Sequence, residues 1–163
     1  MKMSIIWILT LLSTVSCKTN PESEDYLIPK GFIGRATVIF NQEKGVPPKY
    51  ENGRRIYELP PNGILVTQFK AEYGIIDHRY FYVDSSGNRT QLDIFQDESF
   101  KDSTISVDRN KIGIFSDGIT GQYAEGKKAP FQFFFVSSYN SFNKIESYDS
   151  FNKRINKLMG FNL

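Results

Sequence analysis

His78 follows Asp77, and Ser85 and Ser86 lie a few residues further on, so the chain holds the residue types of a base, its orienter and a nucleophile. Their spacing does not assemble them. Neighbours on a strand point to opposite faces, so Asp77 cannot readily orient His78, and no G-x-S-x-G elbow surrounds the serines. His78 is the single histidine and Cys17 the single cysteine, which leaves no transition-metal ligand set. Asp84, Ser85, Ser86, Gly87 and Asn88 offer oxygen ligands without the closing glutamate of a calcium loop, and they read as a hairpin turn. Catalysis therefore rests on a narrower possibility: Asp77, Glu72 and Tyr80 converging in a cleft as an envelope-polymer hydrolase or lyase, with carboxyl groups about 5 to 9 Å apart. No catalytic residue, metal or cofactor is assigned.

Binding chemistry is better represented. Asn41, Gln42, Glu43 and Lys44, with Tyr50, Glu51 and Arg54, could gather at one end of a sheet as a polar recognition patch. Exposed tyrosines such as Tyr73 or Tyr123 could stack on sugar rings, because a flat apolar face suits a carbohydrate C–H surface. Residues 118–128 could instead protrude as a loop that plugs a partner's site, as an inhibitor or immunity-like protein would. The net charge of +2 is nearly balanced and no basic run is present, so nucleic acid is not an expected partner.

These side chains must be positioned by a sheet. From Tyr26 onward aromatic and β-branched residues dominate, with 14 Phe and 9 Tyr in the chain, and Gly, Pro, Asn and Asp punctuate them at short intervals. Ala36, Val38 and Phe40 share one strand face; Arg55, Tyr57 and Leu59 alternate with Ile56 and Glu58 on the next. Asn52-Gly53 suits a type I′ turn between strands. Further strands are expected over 64–69, 78–83 and 90–95, the last two forming a hairpin, with shorter ones over 104–107 and 111–115. Residues 131–136 are apolar on both faces except at Gln132 and read as a central strand. A C-terminal amphipathic helix, with Tyr148, Phe151, Ile155, Leu158 and Met159 at helical spacing, would cover its second face, capped by Ser147 or Asp149 and ended by Gly160. The expected fold is mainly β: a single sandwich-like domain, prealbumin- or Ig-like, with that helix packed on the sheet.

The start of the chain addresses it to a membrane. Lys2 precedes an apolar run over 5–12, and Thr14, Val15 and Ser16 lead into Cys17. This resembles a bacterial lipoprotein signal, although Thr14 stands where Leu is usual. The run is shorter than the roughly 20 residues that span a bilayer and fits a cleaved export segment. The expected organisation is a signal peptide over 1–16, a lipidated Cys17 with a flexible acidic tether over 17–25, and one globular domain over 26–163. A lipid on Cys17 would remove the only thiol from disulfide, metal or nucleophilic chemistry. The acid-rich stretch also resembles surface-export signals of some Gram-negative lipoproteins.

Tyr26-Leu27-Ile28-Pro29-Lys30-Gly31-Phe32-Ile33-Gly34, then Asn41-Gln42, Gly45-Val46-Pro47, Tyr50-Glu51-Asn52-Gly53, Leu59-Pro60, Asn62-Gly63-Ile64-Leu65 and Thr67-Gln68 form a distinctive ordered set. The set resembles a family of uncharacterised bacterial lipoprotein domains with a YLIPxGFxG opening, over residues 26 to about 83; Leu59-Pro60 replaces the commoner Ile-Pro. A weaker similarity is to prealbumin-like and carboxypeptidase-regulatory-like sandwiches. The family resemblance implies location and architecture but no chemistry. The expected protein is exported, anchored through lipid in the periplasm or at the cell surface, and acts as a non-catalytic binding module for an envelope protein or glycan.

Overall fold

Alternation builds the first strand. Along β1 (Glu24–Pro29), Glu24, Tyr26 and Ile28 turn towards the interior while Asp25 and Leu27 take the other face. The computed structural model describes residues 21–96, 100, 108–123 and 129–160. The predicted signal, Cys17 and the expected strand over 104–107 lie outside these residues. After β1 come β2 (Gly34–Ile39), β3 (Tyr50–Glu51), β4 (Arg54–Glu58), β5 (Ile64–Val66), β6 (His78–Val83), β7 (Arg89–Leu92), β8 (Gly113–Tyr123) and β9 (Ala129–Ser137). A 3₁₀ helix (Tyr139–Lys144) and α1 (Tyr148–Met159) follow.

The strands form a five-stranded sheet, β3-β4-β1-β6-β7, and a four-stranded sheet, β5-β2-β9-β8, in a sandwich-like arrangement. The pairing is mixed: β1 runs parallel to both β4 and β6, and β2 runs parallel to β5 but antiparallel to β9. Hairpins join β3 to β4 and β6 to β7. Asn52 and Gly53 hold φ of 50° and 73°, the positive pair that a type I′ turn requires. In the second hairpin the Asp84 carboxyl accepts from the backbone N–H of Ser86 and of Asn88, both at 2.9 Å, so its oxygens close a turn.

Between the sheets lie Tyr26, Ile28, Ala36, Val38, Phe40, Tyr57, Leu59, Tyr80, Phe134 and Val136. On the outer side of the four-stranded sheet, Phe151 and Ile155 of α1 pack with Ile39, Ile64 and Phe131. The helix therefore covers β9, which is central between β2 and β8, as the apolar run of β9 requires. Ser147 caps α1, its hydroxyl accepting from Ser150 N–H, and Gly160 ends it at φ 67°. Leu158, expected on the buried stripe, is half exposed.

Two expectations are corrected. The stretch over 17–25 is not a tether to its end, because Glu24 and Asp25 are buried members of β1 and pair with β4 and β6. The expected loop over 118–128 is, over its first residues, the second half of β8, paired to β9 as far as Tyr123↔Ala129; residues 124–128 lie outside the described ones. Ser116, Asp117 and Gly118 form a bulge within β8, with Ser116 at φ 55° and the register slipping between Phe115 and Ile119.

If α1 completes the core, Phe151→Ala should lower the urea unfolding free energy by about 3 to 5 kcal/mol. Leu158→Ala should stay within about 0.5 kcal/mol of the parent. Equal losses for the two would mean that the helix does not pack by this face.

Candidate functional site

The residue types that could do chemistry meet at the head of β1. Glu24 is 1% exposed, and its carboxyl accepts from the hydroxyls of Tyr26 at 2.6 Å and Tyr57 at 3.0 Å. His78, on the neighbouring β6, places Nε2 3.2 Å from Glu24 Oε2 and Nδ1 2.8 Å from Asp117 Oδ1. The Tyr80 hydroxyl also donates to Asp117. Period-two alternation puts Glu24, Tyr57, His78 and Tyr80 on the inner face of one sheet, and the β8 bulge aims Asp117 at them from the other.

The electrostatics of this cluster are those of a closed lock. Burial opposes charge on His78, but the hydrogen bond to Asp117 and the Glu24 carboxyl outweigh it and lift the imidazole to about 9. Burial likewise works against the Asp117 charge, yet bonds from His78 and Tyr80 hold its carboxyl below the usual range. Burial, reinforced by the adjoining acids, pushes the Tyr26 and Tyr80 phenols well up. An imidazole that is cationic at neutral pH and 8% exposed is not a general base for an external substrate.

Asp77, Glu72 and Tyr80 do not converge. Arg54 and Arg55 are neighbours on β4 and face opposite ways; Arg54 holds Asp77 while Arg55 holds Glu72 at 2.5 Å and Glu22 at 2.5 Å. Tyr80 is in the core. On the outer face Asp25 receives Arg54 at 2.5 Å and Arg79 at 2.6 Å; burial disfavours the Asp25 charge, but the two guanidiniums hold its carboxyl below its ordinary value.

The expected recognition patch divides. Asn41, Gln42 and Glu43 line a shallow depression of about 650 Å³ with Gln68, Lys70, Ala71 and Tyr73. Tyr50 instead packs on Phe69 and donates to Glu22 at 3.1 Å. Glu51 pairs with Arg89 at 2.7 Å, and Arg54 is committed to Asp25 and Asp77. The Glu51 to Arg89 contact joins the two edge strands of the five-stranded sheet, which four spacings would hold roughly 19 Å apart if flat; the sheet is therefore curled.

The depression is preformed. Asn41 N–H donates to Phe69 O at 2.8 Å, Gln42 N–H to Thr67 O at 3.0 Å and Val46 N–H to Val66 O at 2.8 Å. A Cβ on Gly45 would meet the Thr67 backbone at 2.7 Å, so the loop lies against its neighbour as only glycine allows. Tyr73 is 62% exposed at this depression. The Tyr123 side chain lies outside the described residues.

Sequence reasoning missed Glu24 and Asp117. Extending the alternation of Tyr26 and Ile28 back by two would have placed Glu24 inside; Asp117 gave no such signal, because Ser116 and Gly118 around it have the composition of a turn.

The fold is thus a two-sheet, helix-backed mixed β sandwich with an enclosed tyrosine, histidine and acid cluster. The chain belongs to the DUF6843 family, a family of unknown function whose profile matches residues 20–145. A crystal structure of a candidate lipoprotein from Bacillus anthracis is similar, with a TM-score of 0.60 and 21% identity over 85% of this chain and 92% of that one. No curated protein matches. Among the described residues no helix is long and apolar enough to cross a membrane.

The His78 lock sets a pH dependence. Its folded pKa of about 9 lies above the ordinary 6.5, so its contribution to stability is whole below pH 6.5 and drains as pH rises to about 9. Because this is the single histidine, one imidazole resonance in an NMR titration should show a midpoint near 9. A midpoint near 6.5 would remove the lock. His78→Gln should be destabilised at neutral pH and lose this slope in urea unfolding.

Proposed function

We propose that the chain is a lipid-anchored, non-catalytic binding module of the cell envelope, and that the depression around Tyr73 takes a glycan. One observation carries the reading: a tyrosine 62% exposed stands over a recess lined by the amides of Asn41, Gln42 and Gln68. An aromatic face for sugar C–H groups beside amide donors and acceptors is the chemistry of saccharide recognition. Glu43 and Lys70 add one charge of each sign, which suits a polymer carrying both amino and acidic groups. The enclosure of His78 supports binding over catalysis, since the base-type residue has no opening to a substrate.

Anchoring at Cys17 is supported by the export-type segment before it and by the similar solved chain, itself a candidate lipoprotein. In cells fed a clickable fatty acid, the parent should incorporate label and sediment with membranes, and Cys17→Ala should do neither. A parent found unlabelled in the cytosol would end the envelope reading.

Cosedimentation of the purified full chain with insoluble cell-wall glycan measures the binding. The parent should pellet saturably, and Tyr73→Ala should weaken the affinity about two- to tenfold, the worth of one stacked ring at roughly 0.5 to 1.5 kcal/mol. Undiminished pelleting by Tyr73→Ala would place any glycan contact elsewhere.

A further inference from the structure

A second cavity, separate from the Tyr73 depression, occupies the seam between α1 and the turns of the sandwich. It holds about 500 Å³, within the range of small-ligand sites at roughly 300 to 1,000 Å³. Four separate segments build it: the β1–β2 turn, the β4–β5 turn, the end of the 3₁₀ helix and α1.

One wall is apolar and fixed. Phe32 forms it with Ile33 and Pro61, and Ile145 faces them from the segment before α1. The Phe32 carbonyl accepts from the Tyr82 hydroxyl at 2.6 Å. A Cβ on Gly63, which holds φ at +74°, would strike the Phe32 ring and the Arg35 carbonyl, both at 2.7 Å. The ring is therefore wedged against bare backbone.

Three cations stand in the rest of the lining, beside Asn62, Ser141 and Glu146. Arg35 is 5% exposed, with its guanidinium 4.0 Å from the Phe133 centroid and 4.7 Å from that of Phe151. Arg154 lies 5.1 Å from the same Phe151 ring, so one aromatic gathers two guanidiniums beside one cavity. Lys144 adds a third cation and makes no ion pair among the described residues. The one carboxyl in the lining, Glu146, is engaged by Arg154 at 2.7 Å. Arg154 also donates to the Asn62 carbonyl at 3.3 Å, and a lining with three cations and one carboxyl favours an oxyanion, which guanidinium and ammonium donors both suit.

We propose that this cavity binds a water-soluble phosphate monoester whose organic part is apolar or planar: the phosphoryl group among Arg35, Lys144 and Arg154, the organic part against Phe32, Ile33 and Ile145. The recess is walled on several sides, which fits a discrete small molecule and not a flat bilayer. Neither the family description nor the glycan reading bears on it.

Isothermal titration of the full chain with phenyl phosphate, inorganic phosphate and phenol at low salt tests the assignment. Phenyl phosphate should bind saturably, at least fivefold more tightly than inorganic phosphate, and phenol should not bind. Lys144→Met and Arg154→Gln, both exposed and tolerant of substitution, should each weaken phenyl phosphate about fivefold or more, while Tyr73→Ala leaves it unchanged and so keeps this site distinct from the glycan surface. Absence of saturable binding, equal affinity for inorganic phosphate, or indifference to both cation substitutions would each overturn it.

Discussion

A carboxyl group buried to 1% exposure at the start of the central strand is costly unless its oxygens are fully engaged. Glu24 meets that demand with two phenols and an imidazole, and each partner comes from a different strand: Tyr26 from β1 itself, Tyr57 from β4 and His78 from β6. These are the strands that flank β1 in parallel. The register of the three is thus fixed by a polar requirement as well as an apolar one, since a slip by one residue would expose the core and strand the acid. Asp117 then fastens the second sheet to the first through His78 and Tyr80.

The same end of the molecule is tied by further charges. On the outer face Asp25 draws in Arg54 and Arg79, and on the other face of β4 Glu22 and Glu72 meet at Arg55. Asp25 and Arg55 are the buried members, so removing their partners would leave a desolvated charge at each. Other charges contribute less: Glu51 to Arg89 and Lys49 to Glu58 are solvent-facing pairs, which add little to stability.

Much of this was legible. The run Phe131 to Val136 announced a strand covered on both faces, and the spacing of Phe151 and Ile155 announced the helix that covers it. Asn52-Gly53 and the Asp84 turn announced their hairpins because their residues have backbone and side-chain reasons to turn. Parallel pairing was not legible, since a period of two is the same whichever way the neighbouring strand runs. Glu24 and Asp25 were misread because acidic composition describes a solvated linker as well as a buried network whose arginines lie about thirty or more residues away. Of the expected patch, Asn41, Gln42 and Glu43 share a recess, whereas Arg54 was lost to it through partners that only the fold brings near.

The early start of β1 also fixes a length. From Cys17 to Glu24 the covalent chain can extend at most about 25 Å, and Pro21 already lies against Gly74, the neighbour of Tyr73. A lipid on Cys17 would therefore leash the domain short and by the end that carries Tyr73. The recess would sweep a thin shell of space beside the bilayer, at a concentration set by that leash and not by free diffusion.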